Sequence, residues 1–150
     1  MKKNTLLISM LLGISILLMT GCRRADLYVY YLGPNTVTYE NQEVSYTKAT
    51  KKRPGEINIS DVDYTIYDMN WSCIETGKLE YYPEGDYYAG EWVKVQRIKS
   101  ENGDTVFVYF EKNETEYMRR IDVNMLPYEQ LDSGIRVTQL PAGVDEQPEW

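Results

Sequence analysis

The sequence predicts an all-β fold, a small antiparallel barrel or sandwich built as one domain over residues 27–140. Three observations carry this. From Leu27 onward tyrosine, valine, isoleucine and threonine dominate, with 14 tyrosines in 150 residues, and these residue types favour strands. Polar and apolar side chains alternate over short runs punctuated by Gly, Pro and Asn, the period of a half-buried strand. Asn102-Gly103, set between two such runs, is the strongest short-range hairpin signal. An apolar content of 43% suffices for a core, and the length suits one domain.

Residues 1–21 read as an export signal. Lys2 and Lys3 give a positive start, and Leu6 to Met19 is an uncharged apolar run of 14 residues. A membrane-spanning helix needs about 20, so the run matches a signal-peptide core. Met19-Thr20-Gly21-Cys22 follows. These small residues before a cysteine resemble the lipobox of bacterial lipoproteins, with Met19 where the family usually has leucine. The resemblance implies cleavage before Cys22, a diacylglycerol on its sulfur and an acyl group on the new amine. The alternatives are an uncleaved anchor and an ordinary secretory signal. Two or three acyl chains, at about 0.8 kcal/mol per buried CH₂, hold a protein stably on a membrane. Residues 22–26 are then a short spacer, and Arg23, where an aspartate would favour inner-membrane retention in this family, points to the outer membrane of a Gram-negative cell.

Removal of residues 1–21 leaves 129 residues with 14 basic and 23 acidic side chains, a net side-chain charge of −9. Such a surface excludes nucleic acid as a partner. The chain has no histidine, which excludes Ser-His-Asp and Cys-His nucleophile pairs and His-ligated metal. Lipidation of Cys22 leaves Cys73 alone, so no intramolecular disulfide forms. Cys73, in an alternating stretch after Trp71, reads as a small buried apolar residue.

The strands follow in order. Leu27 to Leu32 is an apolar run stopped by Gly33-Pro34. Residues 37–40 and 43–46 flank Asn41-Gln42, and a two-residue turn there would set Tyr39 opposite Val44 and Val37 opposite Tyr46. Residues 47–56 form a polar loop with Lys51, Lys52 and Arg53 at its tip. Residues 56–74 alternate at Ile57 and Ile59 and again at Met69, Trp71 and Cys73. A capping box at residues 60–63 would also permit a helix, but Thr65, Ile66, Tyr67 and Trp71 favour strands. Thr76-Gly77-Lys78 reads as a turn into the strand Leu79 to Tyr82. The hairpin at Asn102-Gly103 pairs Ile98 with Phe107, Val95 with Phe110 and Lys94 with Glu111. A turn at 112–115 leads to a strand over 116–123, Pro127 ends the run, and residues 135–140 make a last strand. Residues 141–150, with two prolines and three acids, read as a loose acidic tail.

The stretch 90–126, with Gly90-Glu91-Trp92-Val93-Lys94-Val95, Asn102-Gly103-Asp104 and Val106-Phe107-Val108-Tyr109-Phe110, resembles the strand rhythm of Tudor and other SH3-like barrels. The likeness carries no diagnostic motif and implies an SH3-like element in the fold only. Tudor ligands, methylated lysine or arginine tails, do not suit an exported protein.

One segment stands out as a candidate site. Residues 81–92 hold five aromatic rings, three acids, two glycines and a proline, and Pro83 with the glycines predicts a loop. Tyrosine and tryptophan on a loop give rigid amphipathic contact area. Tyr87, Tyr88 and Trp92 are the expected anchors, and Glu84, Asp86 and Glu91 the polar rim. The rival reading makes these rings the plug of a barrel end. A second pattern is acid-x-Asn-x-Ser/Thr at Asn58, Asn70 and Asn113, which resembles the extended acceptor sequence of bacterial N-glycosylation. Alternation on a solvated strand produces the same pattern, and the first two matches fall on expected strands, where a transferase would reach poorly. No phosphate-binding glycine loop, serine elbow or calcium loop is present, so no cofactor or catalytic residue is expected. Three functional classes follow: an envelope protein-interaction module (adaptor, exclusion or immunity factor, or assembly component), a surface glycan-binding lipoprotein, and a carboxylate-dependent glycan hydrolase. The first is the leading expectation.

Overall fold

Alternation of side chains decides the architecture. Thr105–Phe110 buries every second residue, and Val93–Ile98 does so over its first four. Each of these two strands therefore has one face for a core and one for solvent. The computed structural model describes residues 30–49, 57–101, 103–126 and 134–149. Cys22, the signal segment, the spacer and the basic tip at Lys51, Lys52 and Arg53 lie outside them.

Eleven strands are described: β1 Tyr30–Leu32, β2 Thr36–Val37, β3 Gln42–Ala49, β4 Asn58–Tyr67, β5 Cys73–Lys78, β6 Glu80–Tyr82, β7 Tyr87–Ala89, β8 Val93–Ile98, β9 Thr105–Phe110, β10 Met118–Leu126 and β11 Gly134–Gln139. They form two sheets, β1-β3-β9-β8-β7-β6 and β2-β11-β10-β4-β5. All neighbours are antiparallel except β11 and β2, which run parallel. The fold is all-β, as expected, and it is an open two-sheet arrangement rather than a closed barrel. One core serves both sheets. Val44, Val95, Val106 and Val108 from the first meet Val62, Ile121, Val123 and Val137 from the second. Six of these eight, Val62, Val95, Val106, Val108, Ile121 and Val137, have no measurable exposure. Each such side chain contributes about 1.5–3 kcal/mol relative to leaving it in water.

Several expected pairings are replaced, for physical reasons. The 37–46 hairpin does not form. β2 pairs with β11 and β3 with β9, so residues 38–41 carry the chain from one sheet to the other. Val37 and Tyr46 are both buried in the shared core, from different sheets, rather than paired across a hairpin. Glu43 consequently faces Tyr109. Thr76-Gly77-Lys78 is not a turn but the end of β5. Gly77 faces Tyr64 across the pair, and a Cβ there would lie 2.7 Å from Tyr64 Cε1. The glycine admits a ring rather than a bend. The reversal comes earlier, at residues 68–72, where Asp68 Oδ1 accepts the amides of Asn70 and Ser72, each at 2.8 Å. Cys73 consequently starts an edge strand and is exposed, not buried.

The β8–β9 hairpin forms with its register moved by two residues: Val95 faces Val108, Val93 faces Phe110 and Lys94 faces Tyr109. A shift of two keeps every side chain on its expected face. The connection is longer than two residues because Asp104 is drawn inside. It is 5% exposed and accepts the Ile57 amide at 2.9 Å. The SH3-like element does not form over 90–126, since β10 sits in the second sheet between β11 and β4. Residues 141–149 are docked rather than loose. Pro141 is buried, the Trp71 indole donates to the Pro148 carbonyl at 3.0 Å and Thr36 donates to Gln147 at 3.3 Å.

Candidate functional site

Residues 81–92 fold as a hairpin, not a loop. Tyr81 and Tyr82 end β6, residues 83–86 turn, and Tyr87 opens β7, with Tyr81 facing Tyr88 and Tyr82 facing Tyr87. Neighbouring strand residues point to opposite faces, so the four rings divide. Tyr82 and Tyr87 stack at 4.9 Å with 12° between their planes on the outward face. Tyr81 and Tyr88 pack at 4.8 Å on the other side. Tyr88 is 9% exposed and belongs to the core, which removes it as a contact anchor. Burial raises its phenol pKa above the ordinary value.

Asp86 is also occupied. It sits at φ 50, a left-handed conformation that aspartate tolerates. Its carboxylate takes two donors from Arg97, Nη2 at 2.7 Å and Nε at 2.8 Å, and one from the Tyr81 hydroxyl at 3.1 Å. Arg97 in turn donates to the Ile57 carbonyl at 2.7 Å. Asp86 is therefore a clamp on the hairpin rather than a rim residue. Glu84 is exposed at the tip of the turn and Glu91 in the loop before β8.

The remaining anchors, Tyr87 and Trp92, lie on different surfaces. Trp92 is half-buried and stacks near Phe110 at 6.4 Å, with Tyr64 edge-on at 6.1 Å. The Arg119 guanidinium lies over its ring at 5.0 Å, a cation–π contact. Burial lowers the Arg119 pKa from its usual value, partly offset by the charge of Glu111. Trp92, Tyr64 and Arg119 line a groove of about 560 Å³ along the seam where Leu79 links β5 to β6. Glu75, Glu80, Glu91 and Lys78 supply its charges, and Tyr117 a further ring. Tyr64 donates to Glu75 Oε1 at 2.7 Å, and that hydrogen bond, with burial and the nearby carboxylates, raises its pKa.

Tyr87 belongs to the outward face of the first sheet. Register places Tyr87, Gln96, Phe107 and Ser45 in one row, and Ala89, Lys94, Tyr109 and Glu43 in the next. The Lys94 ammonium lies 4.5 Å from the Tyr87 ring centre and 5.8 Å from that of Tyr109. Phe107 and Tyr109 stack at 6.3 Å. Beside them is a hollow of about 570 Å³ that Lys94, Tyr109, Glu111 and Lys112 help to line. Ala89 and Gly90 border both this hollow and the Trp92 groove.

Lys94, Tyr109, Tyr64 and Arg119 were not expected as site residues. The first two could have been found by pairing β8 with β9 in the observed register. The others depend on how two sheets pack, which alternation does not encode. Among the described residues no cluster of His, Cys, Asp or Glu could hold a metal ion, and no helix is long and apolar enough to cross a membrane. No protein-family model matches the chain, and no curated protein matches it.

Proposed function

We propose that the chain is an envelope lipoprotein, anchored through Cys22, that acts as a protein-interaction module. Its contact surface is the outward face of the first sheet around Tyr82, Tyr87, Lys94, Phe107 and Tyr109. The observation that supports this is the Lys94 ammonium resting between the rings of Tyr87 and Tyr109. Aromatic rings give the rigid contact area that is enriched at interface centres, and Lys94 adds one directional charge among them. A short spacer after Cys22 keeps the domain near the membrane, and confinement with a partner on one surface raises its effective concentration. The lipobox reading favours the outer membrane where the cell has one.

A photoreactive residue at position 87 or 109 is expected to crosslink in living cells to a single envelope protein, and Cys22→Ser to abolish acyl labelling and membrane association. Labelling that survives Cys22→Ser contradicts the anchor. Crosslinks absent from 87 and 109 contradict the surface.

The Trp92 groove favours a second reading, a glycan ligand. Flat rings at Trp92 and Tyr64 beside Glu75 and Glu91 suit the apolar faces and hydroxyls of a sugar. Under this reading Trp92→Ala abolishes binding to a glycan panel while Tyr87→Ala does not.

A further inference from the structure

Three segments fit acid-x-Asn-x-Ser/Thr, and their surroundings in the fold differ. Asn113 has no exposed surface. Its Nδ2 donates to the Tyr117 carbonyl at 2.8 Å and the Leu140 carbonyl at 3.2 Å, and its Oδ1 accepts both the amide and the hydroxyl of Thr115. The nitrogen and the hydroxyl that the motif supplies are thus consumed by the loop. Asn58 opens β4 and is paired with Leu126. Its Oδ1 accepts from Arg97 at 3.4 Å, and the Ser60 hydroxyl donates to the Asn124 carbonyl at 3.2 Å.

Residues 68–72 are different. They form the connection between β4 and β5, with Asn70 and Ser72 exposed on either side of Trp71. Trp71 has a left-handed φ of 63. Its indole is tied to the Pro148 carbonyl and lies 5.6 Å from the Tyr67 ring. Asp68 Oδ1 holds the turn through the amides of Asn70 and Ser72. Among the described residues nothing hydrogen-bonds to the Asn70 carboxamide, the Ser72 hydroxyl or Asp68 Oδ2. The three functional groups of the motif are presented together on a surface turn, where acceptor asparagines of exported proteins are found.

We propose that Asn70 is an acceptor for asparagine-linked glycan transfer. The co-substrate class is an oligosaccharide carried on a polyprenyl pyrophosphate. The Asn70 Nδ2 attacks the anomeric carbon, a C–N bond forms and the C–O bond to pyrophosphate breaks. The pyrophosphate leaves with the bonding electrons, and the nitrogen releases one proton. This rests on export of the chain, the reading proposed above.

The test is expression of the full chain, with a flexible carboxyl-terminal Asp-Gln-Asn-Ala-Thr tag, in a bacterial host that carries an acid-requiring oligosaccharyltransferase and its lipid-linked donor. Only chains whose tag is glycosylated, and which have therefore reached the enzyme, are scored by peptide mass mapping. The expected result is one further glycan, at Asn70, with Asn58 and Asn113 bare. Asn70→Gln and Ser72→Ala each remove it, and Ser72→Thr keeps it. Chains with a glycosylated tag and unmodified Asn70 overturn the proposal, as does a glycan at Asn113 or Asn58 in place of Asn70. Failure of export shows separately, as an absence of tag-glycosylated chains.

Discussion

Arg97 grips Asp86 through two nitrogens, at 2.7 and 2.8 Å, at the turn of the β6–β7 hairpin. The Arg97 side chain is only 15% exposed and also donates to the Ile57 carbonyl. Removing either partner strands the other in a partly buried setting. Arg97→Met is expected to cost about 2–4 kcal/mol in urea unfolding, between the values for exposed and buried pairs. Asp86→Asn, which keeps an acceptor, should cost less. Equal stability of Arg97→Met and the unsubstituted chain would show the clamp to be unimportant.

Tyr87 and Tyr88 are neighbours with opposite roles. Tyr88→Ala opens a cavity in the core and should destabilise by about 3–5 kcal/mol. Tyr87→Ala removes an outward ring and should cost about 1 kcal/mol or less. Denaturant midpoints of the two single variants measure the difference.

Asn113→Ala removes a carboxamide that ties residues 113–117 to Leu140, leaving the buried Leu140 carbonyl without this donor and the Tyr117 carbonyl with only the Thr115 hydroxyl at 3.4 Å. Each buried group so orphaned costs about 1–3 kcal/mol. The variant should lose at least about 2 kcal/mol in chemical denaturation. Asn70→Ala, at an exposed turn, should change stability far less.

Asp61 accepts a hydrogen bond from Lys78 at 2.9 Å and one from Asn124. These lower its pKa below the ordinary carboxylate value, Lys78 first, against a smaller opposing effect of burial. The group therefore stabilises the fold fully above its unfolded pKa of about 3.9, and the contribution is lost as pH falls through the lower folded value. Lys78 is 64% exposed, so screening keeps the effect to about 1 kcal/mol or less. Asp61→Asn should be less stable than the unsubstituted chain at neutral pH, and the gap should close in strong acid. A gap that widens on acidification contradicts the sign.

How much of this was legible in the sequence varies with the range of the interaction. Strand positions β8, β9 and β11 follow from alternation, which is local; β4 follows from the strand propensity of Thr65, Ile66 and Tyr67, and β3 runs to Ala49, through the first residues of the expected 47–56 loop. The faces of β8 and β9 were also legible, because a two-residue register error conserves them. The partner of Val37 was not, since a hairpin and a sheet-to-sheet crossover place the same residues inside. Gly77 misled because a glycine that admits the Tyr64 ring looks the same in sequence as a glycine that bends the chain. The candidate site split for a similar reason. Tyr87 and Tyr88 adjoin in sequence, yet a strand sends them to opposite faces, and the expectation of a loop concealed that.

The outward face around Tyr87, Lys94 and Tyr109 is the proposed surface for a protein partner. The most direct measurement is the affinity of the partner captured at position 87 for the Tyr87→Ala/Tyr109→Ala chain, taken together with that chain's melting temperature. The expected result is a loss of affinity of about 30-fold or more, as for rings at the centre of an interface, with the melting temperature lowered by no more than about 5 °C. Unchanged affinity, or a loss that appears only because the domain has unfolded, would contradict it.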